Sequence, residues 1–281
     1  MYRKSIWWSA DKNHAIIKNY HAAHCEPASE KNKKRRARKE NTTWKQEEIN
    51  RRHRTEKLQR LLLDNFRAGD WYCTLTYGTG KLPTDRQARD DFNKFKRRVR
   101  GFYQKENLAC QWIGIIEHLS GGGRTHMHFM LPALAPEKLQ QLKKLWPYGN
   151  VDIRFYGGTQ LDAYRLAEYY TKETTEKHAS AVMTSRNLLR TEPRKKTSAA
   201  DTWKDKYQPP AGYEIVKPLS FMMETDAGYP MQVIVLQRIN MLYTPRPQLP
   251  PPKKKKQRRK KHGPVTKTTP RADKKQASAK D

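Results

Sequence analysis

The chain has 281 residues, enough for one sizeable domain or two small ones. Its 58 Lys and Arg against 28 Asp and Glu give a formal charge of +30, an excess that opposes compact folding unless an anion neutralises it. Nucleic acid is the leading partner because aromatic residues lie among the clustered charges, and an anionic membrane surface is the second. No apolar run of about 18 residues occurs, so no transmembrane helix is expected.

Residues 1–69 are predicted to form a basic, largely helical arm. The stretch 31–39 is almost entirely Lys and Arg and is too charged to pack into a core. The stretch 49–66 has a helical pattern, and Ala68-Gly69 ends it.

The cysteines indicate a reducing compartment. Cys25, Cys73 and Cys110 are isolated, with no Cys-x-x-Cys pair, which fits neither a disulfide framework nor a standard zinc site. A His-Ala-Ala-His-Cys segment at 21–25 is another cluster of metal-type ligands, but no second cysteine pair supports it.

Residues 70–190 are predicted to form an α+β domain. Its elements are predicted in this order: a strand over 71–77, a helix over 85–102, a hairpin of strands over 111–118 and 125–131, a helix over 136–146, a strand over 149–156 and a helix over 160–177. This order indicates a central antiparallel β-sheet flanked by helices.

Beyond residue 190, two further regions are predicted. Residues 191–245 are expected to hold an accessory β-hairpin, with strands near 213–224 and 231–239. Residues 246–281 are rich in Pro, Lys and Arg and cannot bury enough apolar area to fold, so a basic disordered tail is predicted.

The sharpest local motif is the His126-Met127-His128 segment. Residues two apart on a strand point to the same face, so the two imidazoles should lie together, and two neutral histidines can chelate one divalent cation. Glu117 ends the partner strand among apolar residues, where a carboxylate needs a partner such as a metal. The alternatives are two histidines on a half-exposed strand and an ordinary salt bridge for Glu117. His118 would fall on the other face of a regular strand and ranks below Glu117.

A second motif is the predicted helix around Tyr164, Tyr169 and Tyr170. At about 100° per residue, Tyr170 lies on the apolar face, whereas Tyr169 lies beside Arg165 and Lys172. A tyrosine with a pKa of about 10 is a poor nucleophile, and nearby cations and a metal would both help it attack a phosphate. The alternative is that all three tyrosines are packing residues.

Basic side chains near these motifs are candidates for contacting DNA phosphates. They are carried by the helix over 85–102, by the hairpin and by the tyrosine helix. The predicted DNA-binding residues are Arg97, Arg98, Arg100, Arg124 and Arg165.

Together the motifs resemble the HUH endonuclease superfamily, named for its His–hydrophobe–His strand, and in particular its rolling-circle replication initiators from phages, plasmids and small viruses. The strand 73–77 resembles the first motif of that family, 126–128 the second, and the Tyr-x-x-Lys at 169–172 the third. Residues 184–188 also resemble the segment after the tyrosine helix in phage-type members. The resemblance covers about residues 70–190.

The resemblance implies a metal-dependent nickase and ligase for single-stranded DNA at a replication origin. Glu117, His126 and His128 would hold Mg²⁺ or Mn²⁺, and Tyr169 would form a 5′-phosphotyrosine and free a 3′-OH. Lys172 would steady the phosphate or the leaving group. The implied setting is the cytoplasm or nucleoid of a bacterial host, with a host polymerase and no membrane.

Two departures refine this expectation. Some initiators carry two tyrosines four residues apart, but Tyr164 and Tyr169 are five apart and point about 140° from each other, so one nucleophile is predicted. The Gly78-Thr79-Gly80-Lys81-Leu82 segment lacks the first Gly and the Ser or Thr of a phosphate-binding loop, so a helicase would come from the host.

Other functions remain open on the sequence alone. A sheet with helices behind it and a basic surface would also suit a non-enzymatic single-stranded nucleic-acid binding protein. A transposase or relaxase of the same superfamily would use the same chemistry. Relaxases often place the tyrosine before the histidine pair, whereas Tyr169 comes after it.

Overall fold

The structure is a computed structural model that describes residues 1–21, 44–118, 124–175, 181–224 and 228–243. The predicted basic run over 31–39 and the predicted tail over 246–281 lie outside these residues, and so does the 21–25 segment beyond His21. For residues 172–175 the backbone alone is described. The elements are β1 (Tyr2–Trp8), β2 (His14–Tyr20), α1 (Trp44–Asn65), β3 (Trp71–Tyr77), α2 (Asp85–Lys105), β4 (Ile113–Glu117), β5 (His126–Leu131), α3 (Lys138–Lys143), β6 (Gly149–Phe155), α4 (Gln160–Thr175), β7 (Met183–Thr184), β8 (Arg194–Ser198), β9 (Tyr213–Ile215), β10 (Phe221–Glu224) and β11 (Pro230–Arg238).

The central sheet has five strands in the order β6-β3-β5-β4-β7, with every neighbouring pair antiparallel. In β3 the side chains alternate between buried and half-buried along the whole strand, as expected when a strand presents its two faces to different layers. The predicted α+β fold with a central antiparallel sheet that carries the histidine pair is confirmed.

Helices cover both faces of this sheet. On one face α2 and the region of α3 pack Phe92, Phe95 and Trp146 against Phe129 of β5. A Thr84 capping box begins α2, with the Thr84 hydroxyl accepting from the Gln87 amide. The opposite face, which carries His128, lies towards α1 and α4.

A second sheet has the strand order β10-β11-β2-β1-β8, with β9 also pairing with β11. Its inner residues share one apolar core with α1, α4 and the central sheet, which includes Trp7, Ile16, Val235, Leu62 and Ile115. The predicted hairpin is present as β10 and β11, but it is continuous with the N-terminal strands rather than separate.

The prediction of a largely helical arm over 1–69 is therefore wrong for its first part. Residues 2–20 form the β1–β2 hairpin, and only α1 is helical among the described residues of this region. The physical reason is tertiary pairing, because β2 lies between β1 and β11 and its Ile16 and Ile17 are buried there. None of the helices in the described ranges is long and apolar enough to cross a membrane.

Candidate active site

The β4–β5 hairpin sets the register of the predicted ligands. Glu117 pairs with His126, and Ile115 pairs with His128. Directly opposed residues on antiparallel strands project to the same face, and so do residues two apart. Glu117, His126 and His128 therefore occupy one face at the end of the sheet.

His128 is held by contacts on both ring nitrogens. Its Nε2 lies 3.1 Å from Glu117 Oε2, and its Nδ1 lies 2.8 Å from Tyr72 Oη and 3.2 Å from Thr74 Oγ1. The Tyr72 and His128 rings are nearly parallel, at 11°. Because His128 is only 7% exposed, the ring has little freedom to turn.

Tyr169 reaches the same group from α4. Its hydroxyl donates to Glu117 Oε2 at 2.8 Å and lies 3.4 Å from His128 Nε2. Tyr170, the next residue, is fully buried in the core with Ala163 and Ala167, and this buried helix face fixes the rotation of α4. Tyr169 remains 38% exposed, so a substrate can approach its hydroxyl from solvent. We call Glu117, His126, His128 and Tyr169 the His-Glu-Tyr cluster.

Tyr164 lies elsewhere. Its hydroxyl donates to Glu168 at 3.3 Å, and the charge of Arg51 on α1 acts on the same hydroxyl. Burial raises the pKa of Tyr164, and Glu168 raises it further. Among the described residues, then, α4 presents Tyr169 but not Tyr164 to Glu117, as the helical register predicts.

His126 and His118 lie at the solvent end of the cluster. His126 Nδ1 makes a short contact with the Arg124 carbonyl oxygen, and its ring centroid lies 6.1 Å from that of His118. The backbone of His118 has φ +54°, so the regular strand geometry ends at Glu117. The expectation that His118 faces away, which assumed a regular strand, is wrong for this reason.

The surroundings of Glu117 favour its ionised form. Burial by itself raises the pKa of this carboxyl, but hydrogen bonds from His128 and Tyr169, together with the charges of His128 and His118, outweigh burial and lower the pKa. An ionised Glu117 can accept a proton from a hydroxyl or bind a cation.

The donor set fits a divalent cation, although the described residues contain no ready-made group of three His, Cys, Asp or Glu ligands. Glu117 Oε1 is buried and has no hydrogen-bond partner in the structure, and a buried carboxylate oxygen needs one. A cation shared with the two imidazoles would satisfy it, since carboxylate and neutral imidazole are both common metal ligands.

The comparisons with known proteins address the same part of the chain. Residues 70–178 match the family of the replication-associated protein ORF2. The match spans both sheet strands that carry the cluster and the tyrosine helix, and it confirms the predicted resemblance at the level of a replication-associated family. No curated protein and no solved structure matches the chain.

Within this replication-associated segment, the predicted DNA-binding residues divide into two groups. Arg124 donates to the Tyr77 carbonyl at the end of β3, and Arg165 is exposed on α4 one turn before Tyr169; both lie on the elements of the cluster. The other three, Arg97, Arg98 and Arg100, lie on α2, which covers the opposite face of the sheet. The side chain of Lys172 lies outside the described part, so its role stays a prediction.

Tyr72 and Thr74 are contacts of the cluster that the sequence did not single out. Both lie on β3, which pairs with β5 so that Thr74 stands opposite His128. Their signal was the alternation of β3, which puts even-numbered residues on the histidine face. Predicting the contact also required knowing that β3 neighbours β5.

Proposed function

We propose that this protein is an HUH-type DNA endonuclease and strand transferase that initiates rolling-circle replication. The observation that carries the proposal is the approach of Tyr169 Oη to within hydrogen-bond distance of Glu117 Oε2, beside His128. A structural tyrosine has no need of a buried carboxylate at the exposed end of a sheet. A nucleophilic one does, because a base must receive its proton.

The chain's own groups account for the chemical step. Tyr169 Oη attacks the phosphorus of a phosphodiester, and its proton passes towards Glu117 Oε2. The phosphorus–O3′ bond breaks, the 3′-oxygen gains a proton, and a 5′-phosphotyrosine forms. Because one phosphodiester replaces another, a later 3′-OH can attack the adduct and rejoin the strand. Arg165 and Arg124 lie on the elements flanking the cluster and would hold backbone phosphates.

The implied cation would be held by Glu117, His126 and His128, and when bound it polarises the scissile phosphate. The two oxygens of Glu117 then have separate tasks: buried Oε1 would face the cation, and Oε2 holds the tyrosine hydroxyl. Mg²⁺ and Mn²⁺ both suit a carboxylate ligand. The partners implied are single-stranded DNA at an origin and a host helicase and polymerase.

The test is covalent trapping. The full chain is incubated with labelled single-stranded DNA from its own replicon, with Mn²⁺ or with EDTA, and run on a denaturing gel. We expect a metal-dependent adduct that disappears in Tyr169→Phe and His126→Ala and persists in the matched control Tyr164→Phe. Loss in Tyr164→Phe alone would move the nucleophile. Salt-sensitive binding without any adduct would instead indicate a non-enzymatic binding protein.

A further inference from the structure

A strongly basic surface lies on α2, on the side of the sheet away from the His-Glu-Tyr cluster. The second half of this helix, from Phe92 onward, carries no carboxylate up to its end. It carries six cations: Lys94, Lys96, Arg97, Arg98, Arg100 and Lys105. We call these six residues the α2 surface. All except Lys96 are exposed.

The direction of α2 takes this surface away from the cluster. The Tyr77 hydroxyl, at the cluster end of β3, donates to Asp91 near the start of α2. The Tyr103 hydroxyl, near the end of α2, contacts the Pro132 carbonyl beyond the end of β5. The helix therefore runs from the cluster end of the sheet to its far end, on the other face.

Intramolecular partners account for only some of these cations. Lys94 pairs with Asp91 at 3.0 Å, and Arg98 donates to the Leu145 carbonyl at 3.1 Å. Among the described residues, neither Arg97 nor Arg100 contacts a carboxylate, and Arg100 acts on Lys96 as a like charge. Unneutralised cations on one rigid face repel one another, so they point to an anionic partner.

The shape of the surface favours a duplex over a single strand. Sites for unpaired bases combine cations with exposed aromatic rings on which bases stack. The aromatic residues of α2 are buried, and Tyr148 beside it is half-buried with Lys94 and Arg98 near its ring. The cations from Lys94 to Lys105 extend about 17 Å along the helix, which matches about five base pairs of duplex backbone.

We infer that the α2 surface binds the phosphate backbone of double-stranded DNA, at a site separate from the strand that reaches Tyr169. One face of the sheet would then meet the strand to be cut, and the other would hold duplex. This binding requires neither a cation nor Tyr169, so it stands or falls independently of the nicking chemistry.

Fluorescence anisotropy tests the inference in EDTA, with the full chain carrying Tyr169→Phe so that no covalent step intervenes. The probes are a blunt duplex and a single strand of the same sequence. The variant is Arg97→Gln/Arg100→Gln. The matched control is Arg194→Gln/Lys196→Gln, which removes the same charge from exposed positions on β8.

We expect the α2 variant to lose about tenfold in duplex affinity and its log–log salt dependence to become shallower by about two, one for each phosphate contact removed. Single-strand affinity should change by less than about twofold, and so should duplex affinity in the control. Equal losses in variant and control would overturn the inference, because they would reflect net charge alone. Equal losses on duplex and single strand would overturn the assignment to duplex. Unchanged circular dichroism would verify that the variants fold.

Discussion

Tyr72 Oη lies 2.8 Å from His128 Nδ1, and the two rings are nearly parallel. A hydroxyl can both donate and accept, so Tyr72 can hold the imidazole in either tautomer. In the one that binds a cation, Nδ1–H donates to Tyr72 and the Nε2 lone pair is free. Burial raises the pKa of Tyr72 well above its ordinary value, so this hydroxyl stays neutral.

Removing this hydroxyl should weaken the proposed metal site. Outer-shell partners of metal-bound histidine typically contribute about 10- to 100-fold in metal affinity or activity, and Thr74 can still contact Nδ1. We expect Tyr72→Phe to need about tenfold more Mn²⁺ for half-maximal adduct formation, with a smaller change at saturating Mn²⁺. Tyr148→Phe, on the α2 face of the sheet, is the control. An unchanged Mn²⁺ requirement would show that Tyr72 only packs against His128.

The two roles given to Glu117 predict opposite effects on chemistry and on binding. Glu117→Gln keeps the shape of the side chain but removes its charge, so adduct formation should fall at least about 100-fold, as for loss of a general base. Single-strand affinity in EDTA should stay the same or rise, because a negative charge near the DNA phosphate is gone. Gel trapping and anisotropy measure the two effects. A parallel loss of binding would indicate that Glu117 supports the fold.

Much of the site was predictable because local periodicity fixes it. The alternation of Trp71–Tyr77 predicts a strand with the observed bounds. The two-residue period puts His126 and His128 on one face, and the helical period separates Tyr169 from Tyr164. Each inference requires only neighbours in sequence, whose directions are set by backbone geometry.

The rest depends on contacts between distant parts of the chain. Asn19 on β2 bonds to Gln232 on β11, 213 positions away, and nothing near Asn19 signals that partner. The charged stretch after residue 30 dominates the composition of the arm and favoured a helical interpretation of residues that form strands. The opposite placement of the α2 arginines likewise depends on which face of the sheet the helix covers.

His14 should make the second sheet sensitive to acid. It is buried at the β1–β2 turn, and burial lowers its pKa to about 4 despite the opposing charge of Asp11. The unfolded chain binds this proton below about pH 6.5, whereas the folded one does so only near pH 4. The free energy of unfolding should therefore fall as pH drops through this window, by up to about 3 kcal/mol.

Urea unfolding at about pH 7 and about pH 4.5 measures this dependence of stability on pH. His14→Gln cannot be protonated there, so its stability should fall less between the two pH values than that of the parent chain. An equal fall in both proteins would assign the acid sensitivity to other groups.

Two glycines beside α2 should respond in opposite ways to alanine. A Cβ at Gly114 on β4 would lie 2.9 Å from Phe92 and 3.0 Å from the His128 carbonyl oxygen, so Gly114→Ala must displace the helix or the strand and should cost about 1–3 kcal/mol. A Cβ at Gly101, within α2, meets nothing within 4 Å. Gly101→Ala should stabilise the protein by about 0.5–1 kcal/mol because it lowers the entropy of the unfolded chain. Thermal unfolding of both variants measures these changes, and a stable Gly114→Ala protein would contradict the close packing of Phe92 on β4.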